Sequence, residues 1–205
     1  MTHTTVTAPE IVRAERALSE AGLPTREGWR PVRVRRERHD GRPVTVVRYQ
    51  DVPSDAPGEG GPHLTVVVDD TGLLLGYTRL DPEEAAAGPQ ATEDEAREAA
   101  FAFLAAFAPR YATRLTVQWV APHHERVAVP GGTAVITGTK VKTRHAAGLY
   151  AWVVVGPGGT VLTYERDIRW DSAQGRRGTE MWLHDAWIAA REGTGPQPAP
   201  PYALA

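Results

Sequence analysis

The chain of 205 residues lacks cysteine altogether and contains only two lysines, Lys140 and Lys142. Without cysteine it can form neither a disulfide nor a thiolate metal site, and it has no thiol nucleophile. It also lacks an apolar run of about 18 residues, the minimum for a transmembrane helix. The first residues, "MTHTTVTAPEIVRAE", show neither the basic nor the apolar region of a signal peptide. These absences predict a cytoplasmic protein without a membrane partner.

The charges of the chain are almost balanced. Lysine and arginine number 23 against 25 acidic residues, for a net charge of −2, so no overall positive field would attract nucleic acid. The sequence contains no phosphate-binding loop, dinucleotide glycine fingerprint, Gly-x-Ser-x-Gly or His-Glu-x-x-His motif. We therefore predict no cofactor and no nucleic-acid partner. These absences do not exclude an enzyme whose active site has no recognised motif.

Two stretches of the chain share one layout, a pair of strands around a glycine-containing turn: "HLTVVVDDTGLLLGYTR" from His63 and "LYAWVVVGPGGTVLTYER" from Leu149. An amphipathic helix and two further strand-like segments precede each stretch. The helices begin with the capping-box patterns Thr7-x-x-Glu10 and Thr92-x-x-Glu95. The residues that recur at identical spacing are Val66, Val67, Val68, Gly72, Leu75, Tyr77 and Arg79, which correspond to Val153, Val154, Val155, Gly159, Leu162, Tyr164 and Arg166.

This recurrence predicts an α+β fold of two tandem α-β-β-β-β repeats. Short turns between successive strands predict an antiparallel meander sheet in each repeat, covered on one face by its helix. We expect the first repeat over 1–88, the second over 89–172, and an added C-terminal helix within 173–192, with its helical part near 179–192. The Pro- and Gly-rich end, 193–205, is predicted to be a disordered tail.

A family resemblance follows from these motifs. The segment "TVVVDDTGLLLGYTRL", followed by "ATEDEAREAAFAFLAAFAP", resembles the PepSY-type superfamily. In that superfamily a strand, Asp-x-x-Gly and a second strand lie next to a helix beginning Thr/Ser-x-x-Glu-Ala. Tandem copies are similar to YcdB-type proteins and to the two-repeat architecture of secreted β-lactamase inhibitors. The resemblance implies an inhibitory, chaperone-like or binding module with a protein or peptide partner.

Arg79 and Arg166 are candidate ligand-binding residues. Each follows a tyrosine by two positions, so both should point to the apolar side of their strands. A buried guanidinium needs an acceptor or an aromatic face, and either a structural partner or an anionic ligand would satisfy it. The aromatic side chains of Trp170 and Trp182 complete this predicted ligand-binding set.

Lys140, Lys142 and Arg144 alternate along one strand and should share one face. Such a row is typical of a solvated face or a protected edge strand. Alternatively, it is a docking patch for an acidic partner or a phosphate. Successive residues on a strand point to opposite faces, so His123 and His124 should not share a metal ion, and we predict no metal site.

Two functions remain open on this evidence. The first is a non-enzymatic protein- or peptide-binding module that uses open antiparallel sheet faces. The alternative is a ligand carrier or a small-molecule enzyme (an isomerase, cyclase or dehydratase) with an aromatic-lined pocket and an acid-base pair drawn from His184, Asp185 and His145. A closed apolar cavity around His184 or His145 would favour the enzyme, whereas an open surface would favour the binding module.

Overall fold

The computed structural model describes residues 8–23, 25–51, 60–85 and 88–205, which form an α+β fold around one antiparallel sheet of 8 strands. The helices are α1 (Pro9–Glu20), α2 (Pro82–Ala85), α3 (Glu93–Phe107), α4 (Pro109–Ala112) and α5 (Asp185–Arg191), with a 3-10 turn at Pro157–Gly159. The sheet strands are β1 (Arg30–His39), β2 (Arg42–Gln50), β3 (His63–Asp69), β4 (Leu74–Leu80), β5 (Leu115–Val129), β6 (Gly132–His145), β7 (Tyr150–Val155) and β8 (Val161–Ile168). A separate two-stranded ribbon pairs β9 (Trp170–Asp171) with β10 (Arg176–Arg177).

The strand order is β1-β2-β3-β4-β8-β7-β6-β5, so two meanders meet where β4 pairs with β8. At this joint Tyr77 lies opposite Tyr164 and Thr78 lies opposite Thr163, with 2.8 Å between the two threonine hydroxyls. We refer to α1 with β1–β4 as the first half and to α3 with β5–β8 as the second half. The halves share one continuous sheet.

The hairpin turns follow from local sequence. Asp40 and Gly41 both have positive φ, 51° and 77°, as a two-residue turn between twisted strands requires. After β3, the carboxylate of Asp69 accepts hydrogen bonds from the backbone N–H groups of Thr71 (2.9 Å) and Leu73 (3.0 Å). Gly72 then adopts a φ of 91°. The Asp-x-x-Gly motif therefore stabilises the turn between β3 and β4.

Helices α1 and α3 pack on the same face of the sheet, which we call the helical face. Leu18 and Leu104 contribute to its core, and the rings of Phe103 and Phe107 meet Tyr164 edge-on, with centroids 5.5 Å apart in each case. The predicted capping box at Thr92 and Glu95 is present at the start of α3. Thr7, the cap predicted for the first helix, lies outside the described residues, and α1 begins at Pro9.

The C-terminal segment differs from its prediction. Residues 179–184 are not helical, and α5 begins only at Asp185. Met181, Trp182 and Leu183 are all buried, which a helix on one sheet face cannot achieve for three successive side chains. The indole N–H of Trp182 donates to the carbonyl oxygen of Arg38 at 2.8 Å and anchors this irregular stretch on the first half.

The disorder predicted for 193–205 also differs from the structure. The chain returns to the sheet, where Ala203 is buried and its backbone N–H contacts the sulfur of Met181 at 3.2 Å. The indole N–H of Trp187 donates to the carbonyl oxygen of Leu204 at 3.2 Å. Pro-rich composition indicates a lack of regular structure, but it does not exclude packing through a few apolar residues. Within the described ranges, no helix has the length and apolar character needed to cross a membrane.

Candidate functional site

The face of the sheet opposite the helices differs between the two halves. In the first half, Val44, Val46 and Val67 are covered by the C-terminal segment, which includes Trp182 and Leu183. In the second half, strand pairing places one side chain from each strand in a row across this face: Trp119, Lys142, Trp152 and Glu165. We call the surface of β5–β8 that carries this row the open face.

Aromatic rings surround the two lysines of the open face. The ammonium nitrogen of Lys142 lies 4.6 Å from the ring centroids of both Tyr150 and Trp170, and 5.5 Å from that of Trp119. That of Lys140 lies 4.0 Å from the ring centroid of Trp152. Burial lowers the pKa of both lysines, that of Lys140 to about 8. Cations at these distances are stabilised by the ring quadrupole.

The predicted docking residues do share this face, because Arg144 continues the alternation of Lys140 and Lys142 along β6. Arg144 is exposed, and its guanidinium lies 6.0 Å from the ring of Tyr150. Trp119 on the outermost strand is 44% exposed. The open face therefore presents cations and aromatic rings together to solvent.

A buried ion pair lies at the inner end of the row. The side chains of Glu165 and Arg177 are only 3% and 2% exposed, and their charged atoms are 2.5 Å apart. Arg177 also donates to the hydroxyl of Thr179 at 2.9 Å and to the carbonyl oxygen of Glu180 at 2.7 Å. Burial alone would raise the pKa of Glu165, but the attraction of Arg177 outweighs it and holds that pKa far below its ordinary value. This carboxylate is therefore ionised and fixed.

His184 lies between two carboxylates. Its Nε2 is 3.4 Å from Glu165, and its Nδ1 is 4.0 Å from Glu125, which in turn binds His123 at 2.9 Å. Burial opposes ionisation of Glu125, yet the hydrogen bond from His123 and the charge of His184 hold its pKa below the usual value. The ring of Tyr202 meets His184 edge-on at 5.7 Å. A histidine between carboxylates can exchange a proton with a bound molecule.

Sequence reasoning missed the partners of His184. It considered Asp185, which instead binds Arg48 through two hydrogen bonds of 2.6 and 3.0 Å in the first half. His145 stacks on Tyr111 with ring centroids 4.9 Å apart. The side chains of the alternative catalytic set thus engage three different partners and do not form one site. Glu165 alternates with Tyr164 on its strand, which indicated its face but could not reveal that Arg177 and His184 come to it.

The four predicted ligand-binding residues do not form one site. On the helical face, Arg79 pairs with Glu84 at 2.8 Å, and the guanidinium of Arg166 lies 3.6 Å from the ring centroid of Tyr111. Each arginine therefore has a partner within the chain, and a mainly structural role for the pairing stays a prediction. Trp170 belongs to the open face, whereas Trp182 is buried between the C-terminal segment and the first half of the sheet.

The histidine pair on β5 points in two directions, as predicted. His123 binds Glu125 on the open face, whereas Nδ1 of exposed His124 is 2.9 Å from the hydroxyl oxygen of Thr137. In the part of the chain that the structure describes, no three residues among His, Asp and Glu lie close enough together to hold a metal ion.

The described residues form clefts of about 520, 680 and 720 Å³, and neither His184 nor His145 lines any of these three. In comparisons of the sequence with known proteins, no family model matches the chain, and no curated protein matches it significantly.

Proposed function

We propose that the protein is a non-enzymatic module that binds a protein or peptide partner on the open face. The observation that carries this proposal is the half-exposed ring of Trp119, which stands beside Lys142 and Arg144 on a sheet surface. Across the described residues, the C-terminal segment covers the equivalent surface of the first half and the inner end of the open face, and it leaves Trp119 at the outer end 44% exposed. An aromatic anchor flanked by cations is typical of the energetic centre of a binding interface.

The chemistry of the open face favours an extended, acidic partner that also carries an apolar or aromatic residue. Carboxylates of such a partner would meet Lys142 and Arg144, and its ring would pack on Trp119. β5 is the last strand of the sheet, so its outer edge can accept an added strand except at Pro122, which has no N–H to donate.

A selection experiment tests this function. Peptides selected from a random displayed library should be enriched in Asp or Glu near an aromatic residue. Trp119→Ala and Arg144→Glu should each weaken binding of the selected peptides by about tenfold or more, which corresponds to about 1.4 kcal/mol.

Arg126→Glu is the matched control for Arg144→Glu, because Arg126 is an exposed arginine of the same β5–β6 ribbon that alternates away from Glu125. It should leave the affinity unchanged. A selection that yields no peptide dependent on Trp119 would reject the proposal.

The alternative, a small-molecule enzyme or ligand carrier, rests on the position of His184 between Glu125 and Glu165. The acid-base pair would then be His184 with Glu165 in place of His184 with Asp185. It is the weaker proposal, because none of the three clefts above contains His184.

We further propose that the two halves are tandem repeats of the PepSY type. Two facts support this: the strand order runs outward from the β4–β8 joint in the same sequence in both halves, and the matched residues Tyr77 and Tyr164 pair with each other at that joint. Duplication around a two-fold axis would produce this pairing. The cytoplasmic location remains a prediction from the sequence.

A further inference from the structure

The two lysines of the chain stand two residues apart on the same face of β6, yet their surroundings differ. Lys142 is held among the three rings of Trp119, Tyr150 and Trp170. Lys140 contacts a single ring, that of Trp152, and the guanidinium of Arg177 lies 5.6 Å from the centroid of the same ring. The ring of Trp152 therefore interacts with two cations.

The charged groups that face Lys140 come from four directions. Glu165 of β8 is engaged by Arg177 at 2.5 Å, and Glu125 of β5 is engaged by His123 at 2.9 Å. The cations are Arg177 of the C-terminal segment and Lys142 of the same strand. Among the described residues, no carboxylate oxygen lies within 4.0 Å of the Lys140 ammonium, the limit for an ion pair.

This arrangement disfavours the protonated form of Lys140. An arginine keeps its proton at any physiological pH, so the repulsion between the two cations on Trp152 is relieved only when the lysine loses its proton. Burial is the largest cause and acts in the same direction, whereas the charge of Glu165 opposes it; the net effect lowers the pKa of Lys140 to about 8. A neutral amine near neutral pH is a nucleophile, and Lys140 stays partly accessible to solvent.

We propose that Lys140 is a carbonyl-reactive amine that forms a reversible imine with an aldehyde bound on the open face. The lone pair of Nζ attacks the carbonyl carbon, a C–N bond forms as the carbonyl π bond breaks, and the oxygen takes up a proton to give a carbinolamine. Loss of the hydroxyl group as water, with release of the nitrogen proton, gives the imine. One water leaves, and nothing is oxidised or reduced.

The open face also indicates which aldehydes fit. The half-buried ring of Tyr150 offers a stacking surface, and Lys142 and Arg144 offer positive charge beside it. An aromatic aldehyde with an acidic substituent matches both. This inference does not depend on the proposed binding of a peptide, since it concerns a covalent site at Lys140 and not the exposed anchor at Trp119.

The test uses 4-formylbenzoate with cyanoborohydride, which reduces an imine to a stable amine, followed by peptide mapping by mass spectrometry. We expect Lys140 to be labelled several-fold faster than Lys142 near neutral pH, because burial lowers the pKa of Lys140 to about 8 and so raises its neutral fraction. The labelling rate should rise with pH and level off above about 8. Without reductant, the adduct should be lost on dilution.

Two variants and one condition serve as controls. Lys140→Arg should abolish the fast label, whereas Arg126→Glu, at an exposed site on the opposite face, should leave it in place. Mapping separates the label at Lys140 from labels at Lys142 and at the α-amino group of the chain. In urea, where the fold is lost, the two lysines should react equally. Equal labelling of the folded protein, faster labelling of Lys142, or a preference that persists in urea would each overturn the proposal.

Discussion

The two halves of the sheet have the same strand order, but the face opposite the helices differs between them in composition and in burial. One row of paired residues crosses all eight strands on this face: Arg35, Val46, Val67 and Gly76 in the first half, then Glu165, Trp152, Lys142 and Trp119 in the second. The first part of the row is mainly apolar and covered. The second is charged or aromatic, and it passes from buried Glu165 and Trp152 to half-buried Lys142 and exposed Trp119.

The contrast shows how little of the sequence must change to turn a core into a surface. A methyl group added at Gly76 would lie 3.3 Å from Leu183, so the glycine gives the C-terminal segment room to approach the sheet. Valines at alternate positions of β2 and β3 then supply its apolar contact. On the same face of β6 and β7 lie Lys140, Lys142 and Trp152, so this part of the sheet carries polar and aromatic side chains.

Two tryptophan variants should give the largest contrast between the halves. Trp182→Ala removes a buried ring and its hydrogen bond to Arg38, and it should lower the free energy of unfolding by about 3–5 kcal/mol. Trp119→Ala removes a half-exposed ring and should cost less than about 1 kcal/mol. Urea denaturation of both variants measures the difference. Equal losses would show that the open face is as much a core as the covered one.

Breaking the buried ion pair should have the next largest effect. Arg177→Met leaves the buried charge of Glu165 with only His184, at 3.4 Å, beside it, which should cost about 3 kcal/mol. Arg169→Met is the control, because Arg169 is 61% exposed in its pair with Asp40 and should cost less than about 1 kcal/mol.

The same pair makes the protein sensitive to acid. Because Arg177 depresses the pKa of Glu165, the stabilisation is complete above the unfolded pKa of about 4.3 and is lost as the pH falls toward the folded value. Arg177→Met should reduce this loss in denaturation curves measured from pH 6 to pH 2. An unchanged acid profile would contradict the assignment.

A buried histidine in the first half should produce a second, milder pH effect. Burial first, and the charge of Arg48 second, lower the pKa of His63 from 6.5 to about 4. The unfolded state therefore binds more protons in this range, and the free energy of unfolding should fall by about 2–3 kcal/mol as the pH drops from 6.5 to 4. His63→Leu should flatten this slope, whereas His124→Leu, at an exposed site of the second half, should leave it unchanged.

The smallest effects are expected on the helical face. Arg79→Met and Arg166→Met should each lower the free energy of unfolding by about 1–2 kcal/mol, since an apolar side chain of similar length replaces a charge whose partner is structural. Binding of peptides to the open face should survive in both variants. Unchanged stability with abolished binding in Arg166→Met would instead make this arginine a ligand contact.

The hairpins could be predicted because their determinants are local. A period of two along each strand and the turn residues Asp40, Gly41, Asp69 and Gly72 specify them without reference to the rest of the chain. The path of residues 179–205 could not be predicted from the sequence. Its packing depends on apolar residues that follow no helix or strand periodicity and that contact strands far away along the chain. The face of Lys140 and Lys142 was predictable by alternation. Their differing surroundings were not, because Trp152, Trp170 and Arg177 come from other elements.

The joint between β4 and β8 has a consequence for how the molecule is made. The joint consists of three residue pairs between two strands that are far apart along the chain. It can therefore form only after β8 has been synthesised. Until then one edge of β4 is unpaired. It can pair with β4 of another copy of the chain in the same antiparallel arrangement in which Tyr77 pairs with Tyr164. A fragment ending after Leu80 should therefore assemble into pairs or aggregate, and the second half acts as the built-in partner that prevents this.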